Sequence, residues 1–264
     1  MKLLFTCVLL SWCLVFEARA ASDVAVTENS SGSDLIFVGQ INAKSVNDFL
    51  EKNKDTQAKS MIIFSPGGDV FSALKLAHWV REHGLDLRVR TLCMSACANY
   101  VFPAANRKII ERGALVIWHG GIEQKDVREG IAYYDALLTK TKTGDNALTS
   151  SEKEFLTNNQ IKYESAKKIR LMQAELFSQL GIDEYITRLG QEPIWYKVDG
   201  WTATIELMNK MGIKNVEANP NYASANYLKR NLIANIQSGG EPVVFGLDSA
   251  GKIVTLNQIP PEPQ

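Results

Sequence analysis

Cysteine is scarce in this chain: four residues in 264, two of which, Cys7 and Cys13, fall in the first apolar stretch. Only Cys93 and Cys97 remain in the body of the sequence, which excludes a small fold stapled by many disulfides. Two thiols with no nearby histidine pair make a poor zinc site, so neither a metal nor another cofactor is expected. Charge of one sign is lacking too. The 29 basic and 29 acidic side chains cancel, which removes the footprint of a nucleic-acid binder, and no polybasic cluster marks a membrane surface. Long apolar runs are missing except for one at the start. Lys2 precedes Leu3 to Phe16, and Ala18-Arg19-Ala20 follows with the small residues a signal peptidase needs. The run is too short to span a bilayer of about 30 Å at a rise of about 1.5 Å per residue. Trp12 beside Cys13 argues against lipid attachment. The expectation is cleavage near Ala20, export to a periplasm or the outside of the cell, and no stable membrane insertion.

What is present is enough apolar material for a sizeable core, 45% of residues, in a length suited to one large domain or two small ones. Residues 21–34 are rich in Ser, Thr, Asn and Gly and read as a loose N-terminal segment. From Leu35 onward strands and helices alternate. Strands are expected at Leu35–Val38, Ser60–Phe64, Leu85–Leu92 and Ala114–Trp118. Helices are expected at Ala43–Lys54, after Asp69 with Gly84 as its stop, and over Ala96–Ala105. This alternation predicts a layered α/β domain. Lys125–Lys140 and Ser151–Leu180 are strongly helical, the second opening with a Ser151-x-x-Glu154 capping box and closing at Gly181. Its stripe of Phe155, Tyr163, Ala166, Ile169, Met172, Leu176 and Leu180 reads as a packing face. Pro242–Gly246 and Ile253–Asn257 flank an Asp248-Ser249-Ala250-Gly251 turn and predict a β-hairpin, followed by a proline-rich tail.

Three parts carry chemistry. Ser65-Pro66-Gly67-Gly68 lies where a strand turns into a helix, so backbone N–H groups gather there with partial positive charge, and glycine leaves room for a carbonyl to approach. Such a turn suits half of an oxyanion hole, although Pro-Gly-Gly by itself is commonly only a turn. Ser95 sits at a second strand-to-helix corner, where a serine is often just an N-cap. The N–H of Ala96 is the natural second oxyanion donor. His119 ends an apolar strand before Gly120-Gly121, whereas His78 and His83 read as surface or packing residues.

These parts occur in the order and spacing of one family, with Ser95 27 residues after Gly68 and His119 24 residues after Ser95. Gly39-Gln40-Ile41, Ile62 to Asp69, Thr91-Leu92-Cys93-Met94-Ser95-Ala96, Ala104-Ala105, Arg107-Lys108 and Val116-Ile117-Trp118-His119 together resemble the ClpP/crotonase-like superfamily. The likeness is nearest to exported ClpP-like proteins of the serine protease type and covers Leu35 to about Val216. It implies a spiral of ββα units with a helical handle, to which the C-terminal hairpin is an extension. The organisation expected is a signal peptide at 1–20, the loose segment 21–34, a ClpP-like domain at 35–218 with its helical region at 123–190, and the extension at 219–264.

The resemblance further implies a serine hydrolase, a peptidase acting on a peptide or protein, that assembles as a homo-oligomer. Ser95 would be the nucleophile, His119 the general base, and Gly68 and Ala96 the oxyanion donors. Asp199, in Asp199-Gly200-Trp201-Thr202-Ala203 before a helix at Ile205–Met211, matches the family's orienting aspartate with one extra residue in the helix. Glu123 and Asp126 are alternatives. The thiols of Cys93 and Cys97 depart from the family, and the i to i+4 spacing allows a disulfide. Nothing resembles the loops that contact an ATP-driven unfoldase. Rival readings are a crotonase-like acyl-transforming enzyme, a Ser-Lys dyad, or a non-catalytic binding or assembly module in which Ser95 is only a cap.

Overall fold

The computed structural model describes residues 34–143, 148–195, 198–230 and 240–257. The expected leader, all but the last residue of the segment after it, and the end of the proline-rich tail lie outside these residues. Leu35–Val38 forms β1 and Ala43–Lys52 forms α1. Helix α1 is capped reciprocally, Asn42 accepting the Ser45 N–H (2.8 Å) and Ser45 Oγ accepting the Asn42 N–H (3.0 Å). Ser60–Ser65 is β2, Val70–Glu82 is α2 and Asp86–Met94 is β3. Ala73, Leu74, Ala77 and Val80 bury one face of α2 completely, as their helical spacing requires.

The strands pair in parallel, Leu35 with Met61 and Met61 with Leu87. Near the end of β3 the register slips: Ile63 faces Val89, but Ser65 faces Cys93. The extra β3 residues form a bulge in which Thr91 has φ +66°, and a bulge bends and re-aims a strand. It explains how β3 runs to Met94 rather than stopping at Leu92, and how it serves two partners along one edge. Lys108–Ile110 (β4) pairs with Leu87–Val89, and Leu115–Ile117 (β5) pairs with Leu92–Met94.

Between β3 and β4 the sequence pattern predicts a helix over Ala96–Ala105. The structure instead has a π-helical turn, Cys97–Val101, running into the short α3, Phe102–Ala104. Pro103 removes an N–H from any longer ladder, and π-turns recur at functional sites.

Lys125–Thr143 (α4) and Ser150–Leu180 (α5) pack against each other around Ile131, Tyr134, Tyr163 and Ala166. The capping box of α5 is Thr149 with Glu152, two residues earlier than Ser151 with Glu154. Both pairs satisfy the same sequence rule, and the Lys140 ammonium on α4 holds Glu152 at 3.0 Å, which favours the observed one. Gly181 ends α5 at φ +66°. Trp201–Ala203 (β6), Ile205–Lys210 (α6), Val216–Glu217 (β7), Ala225–Arg230 (α7), Val243–Leu247 (β8) and Ile253–Thr255 (β9) complete the chain.

The result is a mixed α/β fold with a parallel six-stranded sheet, order β1-β2-β3-β4-β7 with β5 also on β3, and a small sheet β6-β8-β9. The expected hairpin is present as β8 and β9, Phe245 facing Thr255. It is no free appendage, because β8 also pairs in parallel with β6, Trp201 facing Val243. Trp118 and Trp201, both fully buried, bridge the two sheets. No helix among the described residues is long and apolar enough to cross a membrane.

Candidate active site

The C-terminal ends of the parallel strands gather the site, as is general for open parallel sheets. Strand β2 delivers the glycine turn. Ser65 is buried and its Oγ accepts the Gly67 N–H (3.1 Å). The Gly67 carbonyl accepts the Ile41 N–H, and the Ile41 carbonyl accepts the Asp69 N–H, both at 2.8 Å. Gly67 and Gly68 adopt φ +92° and +143°, which side-chain-bearing residues rarely adopt. With its neighbours all engaged, the Gly68 N–H has no acceptor among the described residues.

Strand β3 delivers Ser95, at φ +59°. Holding a non-glycine residue there costs on the order of 1 kcal/mol or more, and such strain clusters at functional sites. The corner is held on three sides. The Ser95 N–H donates to the Ile117 carbonyl (3.0 Å), the Ser95 carbonyl accepts the Asn99 N–H (2.8 Å), and Cys93 and Cys97 are joined by a disulfide with Cα atoms 5.3 Å apart. Both cysteines are fully buried. The Ala96 N–H has no acceptor among the described residues although Ala96 is only 2% exposed. A buried unpaired donor is rare enough to require an explanation.

The two free N–H groups lie on touching backbones. A Cβ added to Gly67 would stand 2.6 Å from Ser95 Cβ and 2.9 Å from the Ala96 nitrogen. The glycine turn and the serine corner are therefore packed directly on one another.

Strand β5 delivers His119. Ile117 is in register with Met94, so Ser95 and His119 leave neighbouring strands roughly 4.8 Å apart. Upstream, Trp118 exchanges two 2.8 Å backbone hydrogen bonds with Trp201. Downstream, Asn99 Nδ2 donates to the Gly120 carbonyl (3.0 Å). His119 is exposed, yet partial desolvation of its ring lowers its pKa from the ordinary 6.5, opposed by a hydrogen bond to its own main chain.

Among the described residues no hydrogen bond joins the side chains of Ser95, His119 and Asp199. Asp199 is exposed, two residues before Trp201, so the Trp118–Trp201 bridge brings it alongside the segment that leaves Trp118 for His119 and Gly120. Glu123 is differently employed. It is buried, and both its oxygens are taken by the Arg170 guanidinium of α5, one contact measuring 3.1 Å. Asp126 is exposed in the first turn of α4. Of the other histidines, His83 lies on Trp79 with ring centroids 4.2 Å apart.

Asn99 escapes a sequence reading. It is 4% exposed, ties the Ser95 corner to the loop after His119, and its own Oδ1 has no partner among the described residues. Its place four residues beyond Ser95 is the only sequence signal for it. No group of three or more His, Cys, Asp or Glu able to hold a metal occurs among the described residues. No protein-family model matches the chain, and no curated protein matches it in sequence.

Proposed function

We propose that this chain is a serine hydrolase of the ClpP/crotonase-like type, acting on a peptide or protein through an acyl-enzyme at Ser95. The observation that carries the reading is the pair of unpaired N–H groups, Gly68 and Ala96, beside a serine held at positive φ. Preorganised donors of this kind stabilise charge as it develops on a carbonyl oxygen. His119 removes the Ser95 proton as Oγ attacks the carbonyl carbon. The oxyanion accepts from Gly68 and Ala96, and on collapse the leaving amine takes the proton from His119. Water, activated by the same imidazole, then hydrolyses the ester. Asp199 is the candidate to hold the imidazole tautomer, since the Arg170 pairing occupies Glu123. The spiral superfamily fold, export, and assembly into homo-oligomers belong to the same proposal.

The open geometry of Ser95, His119 and Asp199 favours a second reading, a non-catalytic module that keeps the turn as a binding feature. A fluorophosphonate probe on the mature protein separates the two. Stoichiometric labelling mapped to the Ser95 peptide, absent in Ser95→Ala, is expected for the hydrolase. No labelling of Ser95 in folded wild type rejects it.

The pH dependence follows from His119. Only the neutral imidazole accepts a proton, and desolvation places its pKa below 6.5. Acylation is expected to hold its plateau at neutral pH and fall as pH drops through a midpoint below 6.5. His119→Ala should lose the plateau. A midpoint above 7, or full activity in His119→Ala, assigns the base elsewhere.

A further inference from the structure

A concave feature whose lining does not include Ser95 lies where β4 and β7 end. The turn after β4 carries Arg112-Gly113, and the segment after β7 carries Asn219 and Asn221. With α7 they enclose a cleft of about 420 Å³, within the roughly 300–1,000 Å³ usual for small-ligand sites. Its Tyr227 wall is held in place. Tyr227 of α7 is buried, and its hydroxyl donates to the Ala114 carbonyl (2.7 Å) while accepting the Gly113 N–H (3.1 Å). Tyr222 is anchored likewise, its hydroxyl accepting the Val116 N–H (3.2 Å) and sharing a 2.9 Å hydrogen bond with Thr202.

Among the described residues the lining holds two guanidinium groups, Arg112 and Arg230, the amides of Asn219, Asn221 and Asn226, and no carboxylate. The nearest acids in sequence are occupied elsewhere. Glu111 is held by Arg88 (3.1 Å) and Arg90 (3.2 Å), and Glu217 by Arg107 (2.7 Å). Neither Arg112 nor Arg230 has an ion-pair partner among the described residues. Asn219 already uses its side-chain oxygen on the Asn221 N–H (2.9 Å), so what its amide still offers is its two donors. A cleft rich in donors and without a carboxylate among its described lining residues complements a ligand rich in acceptors, and arginine matches planar oxyanions in a bidentate fork.

We infer that this cleft binds a small oxyanion-bearing ligand, its phosphate or carboxylate group held between Arg112 and Arg230. This inference does not depend on the chemistry of Ser95. Phenyl phosphate and benzoate, which share a ring and differ in the anion, are titrated calorimetrically into the full mature chain at constant ionic strength with chloride as the background. Saturable binding of either one, weakened at least tenfold in Arg112→Gln/Arg230→Gln, is the expected result, and the tighter of the two names the anion. Arg112→Lys, which keeps the charge but loses the fork, should bind with intermediate affinity and guards against misfolding of the double variant. Absence of saturable binding by both probes, or equal binding to the folded double variant, overturns the inference.

Discussion

Gly67→Ala is expected to abolish labelling of Ser95 and to destabilise the fold by several kcal/mol. The added Cβ would stand 2.5 Å from the Met94 carbonyl oxygen, 2.6 Å from Ser95 Cβ and 2.9 Å from the Ala96 nitrogen. None of these is the free end of a flexible side chain. Two belong to the backbone of the serine corner, and the third is the Cβ of Ser95 itself. At φ +92° the alanine is strained as well, at about 1–3 kcal/mol. The corner must move, and with it the Ala96 N–H; under the proposed function, losing one oxyanion donor typically costs about 10²–10³ in rate. Gly84→Ala supplies the control. Its φ is +59° with nothing within 4 Å of the added Cβ, so it should lose about 1 kcal/mol and label normally. Wild-type labelling by folded Gly67→Ala would contradict the direct packing of the glycine turn on Ser95.

Removing the disulfide with Cys93→Ala/Cys97→Ala is expected to slow acylation at least tenfold while lowering stability modestly. The bridge closes a ring of five residues, for which loop entropy predicts about 2 kcal/mol, or roughly 4–8 °C in Tm for a domain of this size. Its position matters more than its entropy. Ser95 is the middle residue of that ring, at a φ it would not choose freely, and once the bridge is gone the corner is left to the Ile117 and Asn99 hydrogen bonds and the packing of Gly67. Substitution is the better test than reduction, since both sulfurs are fully buried. Non-reducing peptide mass spectrometry checks the bridge in the parent protein, and labelling rates with thermal melts compare the variants. If Tm falls and the labelling rate does not, the disulfide serves only as a staple.

Much of this was legible in the chain because the signals are local. Leu35–Val38 and Ser60–Ser65 are short buried strands bounded by Gly, Pro and Ser. Asp69 and Gly84 mark the ends of α2, and the Asp248 to Gly251 turn between two apolar runs makes a hairpin wherever it falls. Likewise Gly67, Gly68, Ser95 and His119 each lie just past the end of a strand, so period and punctuation were enough to single them out.

Other features depended on residues distant in the chain. The capping box of α5 had two acceptable registers, and Lys140 from another helix favours the observed one. Strand β3 outruns its apolar pattern because β4 and β5 share its edge, an arrangement that needs the Thr91 bulge. Glu123 was an open candidate for the orienting acid until Arg170, 47 residues away, took both its oxygens.

By itself, then, the sequence determined the alternation of strands and helices, the glycine turn and the serine and histidine at strand ends, because propensity, capping and steric freedom act over a few residues. Only the tertiary structure decided that Gly67 rests on Ser95, that the N–H groups of Gly68 and Ala96 find no acceptor among the described residues, and that β8 joins β6. Those are outcomes of close packing and of where each backbone hydrogen bond ends, and they exist only once the strands are paired.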